Sequence, residues 1–165
     1  MVEYHNILFC TDFSEDAMIA FLHAVDLAKK HNAKLHIFHV AHSSYRYARH
    51  IVDEYVPEGA PEGEAFFDEE LEKKALEALK RSHEARLGEV KDYVLVVKGG
   101  APDVEIIHYA KKNNIDLIVM GALGRSEQDR MVHGSTVANV SRYAHCHVMA
   151  IRNPAKQFTL PSNLY

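Results

Sequence analysis

Residues 121 to 136, GALGRSEQDRMVHGST, gather the groups with the clearest use in chemistry. Gly121, Gly124 and Gly134 lack the side chain that holds a backbone away from another molecule. Ser135 and Thr136 carry hydroxyls, and Arg125 carries a forked, permanently charged donor set. If a strand ends at Met120 and a helix begins near Ser135, the unpaired first-turn amides face the loop with partial positive charge, which suits a phosphate. Gly121 and Gly124 then let the chain curl beneath the anion, and Gly134 lets it approach. Turn geometry alone also explains these residues: Gly121 ends a strand, Gly124 makes a turn and Gly134 precedes a capping serine.

Other chemistries find less support. The loop GxxxxGK[ST] is absent and no GxGxxG follows the first apolar run, so neither a P-loop enzyme nor a dinucleotide dehydrogenase is expected. Asp12 has the right type to position a water or a magnesium ion beside a phosphate, and equally to close an Asx turn or cap a helix. With no nucleophile–base pair in view, no catalytic residue is assigned. Twelve histidines raise the question of metal. His36 and His39 are three apart on a strand and so point to opposite faces. His145 and His147 flank Cys146, but no zinc-like spacing occurs and no metal site is expected.

These groups must be held by regular elements, and the chain supplies them in alternation. NILFCT, KLHIFHV, YVLVVK, DLIVMG and HVMAIR are short Val- and Ile-rich runs, the pattern of strands covered on both faces. Between them lie helical patterns. Residues 14 to 31 put Ala17, Phe21, Ala24 and Ala28 on one stripe behind a capping Ser14, with Glu15 and Asp16 at the positive end of the dipole. A second helix is expected over about residues 65 to 87 with Leu71, Ala75 and Leu79 inward and Gly88 just beyond. A third opens at Pro102 and stops at the asparagines, and a fourth runs from about Gly134 to Ala144 with Val137, Val140 and Ala144 toward the sheet. Strands alternating with helices predict an α/β fold, an open parallel sheet with helices on both faces, whose ligands bind beyond the carboxyl ends of the strands.

Composition sets the outer bounds. A chain of 165 residues with 47% hydrophobic content fits one domain with one sizeable core. A formal charge of -4 supplies no cationic field for a nucleic acid. The start, MVEYHNILFC, has no secretory pattern, and no run reaches the roughly 18 apolar residues of a membrane span, so a cytoplasmic protein is expected. Cys10 and Cys146 then read as free thiols in a reducing compartment. Residues 42 to 64 exceed an ordinary connection and read as a lid, a partner surface or an extra helix. The tail from residue 153 carries Phe158, Leu160, Leu164 and Tyr165, more apolar groups than a loose terminus holds.

The spacing G-x2-G-x9-G-[ST], met by Gly121, Gly124, Gly134 and Ser135, resembles the nucleotide-binding signature of the universal stress protein family. NILFCTDFSEDA, KLHIFHV, GGAPDVEIIHYAKKNNIDLIVMGALGRS and CHVMAIR are similar to that family's first strand and turn, second strand, third helix with fourth strand, and last strand. The resemblance covers about residues 4 to 41 and 65 to 152, which makes residues 1 to 152 the expected domain, residues 42 to 64 an insertion and residues 153 to 165 a tail. It implies a five-stranded Rossmann-like sheet, of the adenine nucleotide alpha hydrolase-like type, in order 3-2-1-4-5. It also implies an adenine nucleotide (ATP, or AMP or ADP, with or without Mg) at the switch between strands 1 and 4, and a homodimer through the last strand.

By position, the resemblance assigns Thr11 and Asp12 to the adenine or ribose side and Val40 to the base. Met120 and Gly121 would form the floor, and Gly124, Arg125, Gly134, Ser135 and Thr136 would hold the phosphates. Two departures stand out: Cys10 where ATP-binding members often have proline, and a stretch before the third glycine, SEQDRMVH, more polar than usual. The functions implied are a dimeric nucleotide-dependent regulator of stress responses that shows a changed surface to a protein partner, a slow ATPase resetting the same switch, or a non-binding interaction protein of the same fold.

Overall fold

The computed structural model describes residues 1–41, 69–123 and 136–155. Its strands fall within a residue or so of the apolar runs: β1 Asn6–Cys10, β2 Lys34–Ala41, β3 Tyr93–Gly99, β4 Leu117–Gly121 and β5 His147–Ile151. All pairings are parallel, in the order β3-β2-β1-β4-β5, as the resemblance implies. Among the described residues the helices are α1 Glu15–His31, α2 Glu69–His83, α3 Pro102–Lys112 and α4 Thr136–Tyr143, and a short 3-10 turn, Glu84–Arg86, follows α2.

The unbroken apolar runs have the reason given for them. Ile7 and Phe9 of β1, Leu35 and Ile37 of β2, and Leu117 and Val119 of β4 face one way, into a core shared with Phe21 and Ala24 of α1 and Leu79 of α2. Their neighbours Leu8, Cys10, Phe38, Val40, Ile118 and Met120 face the other way, against Ile106 and Ala110 of α3 and Val140 of α4. Each central strand is therefore buried on both faces, and no polar alternation can survive.

Local chemistry sets the helix ends. Ser14 caps α1, its hydroxyl accepting from the Ala17 amide at 3.2 Å, with Glu15 and Asp16 in the first turn. Asn32 ends α1 in the left-handed region, φ 52°, where its amide reaches the carbonyls of Ala28 and Lys29. Pro102 opens α3, and Asn113 and Asn114 follow its end.

Two helix expectations need correction. The second helix is shorter than expected, closing at His83 into the 3-10 turn, and residues 65–68 lie outside the described residues. Leu71 does not point inward: it is 41% exposed, and among the described residues α2 packs on the core through its later turns, at Ala75, Leu76 and Leu79. The insertion at 42–64 and the tail's Phe158, Leu160, Leu164 and Tyr165 lie outside the described residues.

Candidate functional site

The sheet order brings together the carboxyl ends of β1 and β4. Those strands are neighbours, with Cys10 opposite Met120, yet the chain leaves β1 through α1 on one face and leaves β4 toward α4 on the other. That is the switch point at which open parallel sheets take ligands. Residues following these two strand ends share one edge of the molecule.

On the β1 side, Thr11 and Asp12 form a preorganised turn. The buried Thr11 donates its amide to the Phe38 carbonyl at 2.9 Å, so it continues the strand for one more residue. Its hydroxyl oxygen accepts from the Phe13 amide at 3.0 Å, and Asp12 Oδ1 accepts from the Ser14 amide at 3.0 Å. Between them Phe13 takes φ 62°, a left-handed conformation uncommon for a residue with a bulky side chain and sustained by these flanking bonds. The Asx turn weighed for Asp12 is therefore present.

Histidines support this turn from below. His39 Nδ1 donates to the Thr11 carbonyl at 2.8 Å, and its ring lies 4.8 Å from that of Phe13. His83 is completely buried among Phe9, Phe13 and Phe21, at 5.5, 6.1 and 4.7 Å between ring centres. Its Nδ1–H is donated to the Leu79 carbonyl at 3.1 Å, and Nε2 meets no polar partner among the described residues. Burial lowers the His83 pKa below the ordinary imidazole value, only partly offset by that carbonyl, and Arg86 and His39 lower it further. His36 lies on the opposite face as expected, its Nδ1 2.9 Å from the Tyr109 hydroxyl, and burial lowers its pKa as well. Among the described residues no group of three or more His, Cys, Asp or Glu side chains could hold a metal ion.

On the β4 side, Met120 is buried and Gly121 closes the strand. A Cβ on Gly121 would stand 2.8 Å from the Ala17 nitrogen and 2.9 Å from the Asp16 carbonyl carbon, so the first turn of α1 fills the space a side chain would need. Val40 of β2 is buried beside Met120's cluster. Thr136, the first residue of α4, is half-buried. Asn139 anchors that helix to α3 by donating to Asp103 Oδ2 at 2.7 Å. Thr11, Asp12, Val40, Met120, Gly121 and Thr136 thus have described positions, whereas Gly124, Arg125, Gly134 and Ser135 lie outside the described residues.

Sequence reasoning missed Asp16, valued only for its charge near the helix end. It is fully buried, and its Oδ2 accepts from the Leu123 amide at 3.2 Å. The available signal was its place four residues before Ala20 on the covered side of α1. The free thiols are as expected: Cys10 is buried, which pushes its pKa far up, and Cys146 is partly buried and raised for the same reason.

The chain matches the model of the universal stress protein family over residues 3–152. It is 32% identical over 157 residues to universal stress protein MJ0531 of Methanocaldococcus jannaschii, spanning 93% of this chain and 85% of that one. Among solved structures, universal stress protein UspA from Lactobacillus plantarum is 30% identical with a TM-score of 0.70, covering 92% of this chain and all of that one. A universal stress protein solved in complex with cAMP shares the fold at 23% identity and a TM-score of 0.58, covering 91% of this chain and 98% of that one. No helix among the described residues is long and apolar enough to cross a membrane.

Proposed function

The chain belongs to the universal stress protein family, and on that premise we propose that it is a dimeric ATP-binding module whose ligand changes a surface read by a protein partner. One observation carries the reading: the Thr11–Asp12 turn and the start of the glycine segment lie side by side at the carboxyl ends of β1 and β4. The spacing G-x2-G-x9-G-S in that segment and the cAMP complex of a fold neighbour support an adenine nucleotide as the occupant.

In this reading Asp12 and Thr11 meet the ribose or adenine, Val40 flanks the base, and Met120 and Gly121 form the floor. Gly124, Arg125, Gly134, Ser135 and Thr136 hold the phosphates, with Mg²⁺ shared among phosphate oxygens where two or more are present. No side chain is assigned to catalysis. Binding favours one arrangement of the segment between β4 and α4, and a ligand shifts a population only by its differential affinity for the two states. The dimer forms through β5, which has β4 on one side and lies at the edge of the sheet.

Mass analysis of small molecules released from the purified protein tests this. Co-purifying ATP is expected, with a rise in melting temperature on adding Mg-ATP that corresponds to about 2.7 kcal/mol at a hundredfold excess over Kd. Gly124→Leu is expected to abolish both while leaving the circular dichroism unchanged. ADP in place of ATP would favour the slow ATPase. No released nucleotide together with no shift would leave an interaction protein that binds none.

A further inference from the structure

We propose that Asp16 is a positioning residue for nucleotide binding, clamping the take-off of the glycine segment to the first turn of α1. The inference rests on the nucleotide reading of that segment. Its basis is a series of side-chain-to-amide bonds that runs from one half of the site to the other. Asp12 Oδ1 accepts from the Ser14 amide at 3.0 Å, Ser14 Oγ from the Ala17 amide at 3.2 Å, and Asp16 Oδ2 from the Leu123 amide at 3.2 Å. The first bond shapes the turn after β1, the second starts the helix, and the third holds the chain one residue before Gly124.

Two further contacts show that this point is held from both sides. Gly121 lacks the Cβ that would collide with the Asp16 and Ala17 backbone, which lets the helix turn sit directly against the end of β4. The Ala122 amide donates to the Ile151 carbonyl at 2.7 Å, which ties the same segment to β5. The Leu123 amide therefore faces α1 while its predecessor faces β5, and a fully buried carboxylate supplies the α1 anchor. An acid at an exposed helix start needs no loop partner, since the dipole alone favours it there. Complete burial of Asp16 costs solvation and calls for a structural return, which the Leu123 bond supplies.

The test uses the full-length protein with Mg-ATP and AMP as calorimetric probes, alongside amide hydrogen exchange at Leu123. Asp16→Ala should weaken binding by about tenfold, the scale of one hydrogen bond to a carboxylate, and speed exchange at Leu123. Asp16→Asn, whose side-chain oxygen can still accept from that amide, should restore most of both. Leu123→Pro deletes the donor instead and should reproduce the binding loss if Asp16→Ala fails to fold. Val25→Ala, which trims α1 packing away from the site, should lower the melting temperature and leave affinity unchanged. Wild-type protein that binds neither probe overturns the nucleotide reading and this inference with it. Wild-type binding matched by Asp16→Ala and by Leu123→Pro, with slow exchange at Leu123 in Asp16→Ala, overturns the clamp alone.

Discussion

At the scale of single residues, the clearest energetic signature is a buried base. His83 has no exposed surface, and its one described polar contact is to the Leu79 carbonyl. Its folded-state pKa lies below the ordinary 6.5, so the folded ring stays neutral where the unfolded ring takes up a proton. Stability is then complete above about pH 6.5 and falls as the pH drops from there to the folded value, by at most about 1.4 kcal/mol per pH unit for one proton. His36, lowered in the same direction, adds a slope of the same sign. Urea unfolding between pH 7 and pH 5 should show this loss, and His83→Phe should flatten part of it, whatever it does to absolute stability. An unchanged slope would show that His83 takes no part. The histidine count in the sequence raised the question of metal, and the spacings argued against it. What it could not show is that His39 supports the Thr11 carbonyl and His83 fills an aromatic pocket, because both facts depend on contacts between distant elements.

At the scale of elements, the strands were legible because burial on both faces leaves a continuous apolar run, and the starts of α1 and α3 because Ser14 and Pro102 act locally. Leu71 misled for the converse reason. Helical periodicity identifies a face but not how much of that face the neighbour covers, and among the described residues α2 packs on the core through its later turns. Gly121 shows the same limit from the other side. Its place in the motif fitted a bend beneath an anion or a plain strand end, and neither reading indicates that the chain's own α1 turn fills the space a Cβ would need. Because the nearest atoms are backbone rather than a flexible side-chain tip, Gly121→Ala should destabilise the fold by about 1–3 kcal/mol, an overpacking cost read from the denaturant midpoint. A midpoint equal to wild type would mean that α1 and β4 can separate freely at this point.

At the scale of the whole molecule, topology rather than any one residue makes the site. The order β3-β2-β1-β4-β5 turns two chain segments more than a hundred residues apart, Asp12 and Gly121, into neighbours above adjacent strand ends. Alternating strands and helices made a parallel sheet legible, while the strand order came from the family resemblance, since periodicity carries no information on which strands adjoin. The Asp16–Leu123 bond was legible from neither, although it links the two halves of the site. The proposed function requires an adenine nucleotide across that switch point with its phosphates on the glycine segment. A crystal structure of the protein grown with excess Mg-ATP tests it most directly. Density for the base and ribose beside Thr11, Asp12 and Val40, with phosphates at Gly124, Gly134 and Ser135, is the predicted result. A cleft left vacant at saturating ligand, or plugged by the protein's own side chains, would contradict it.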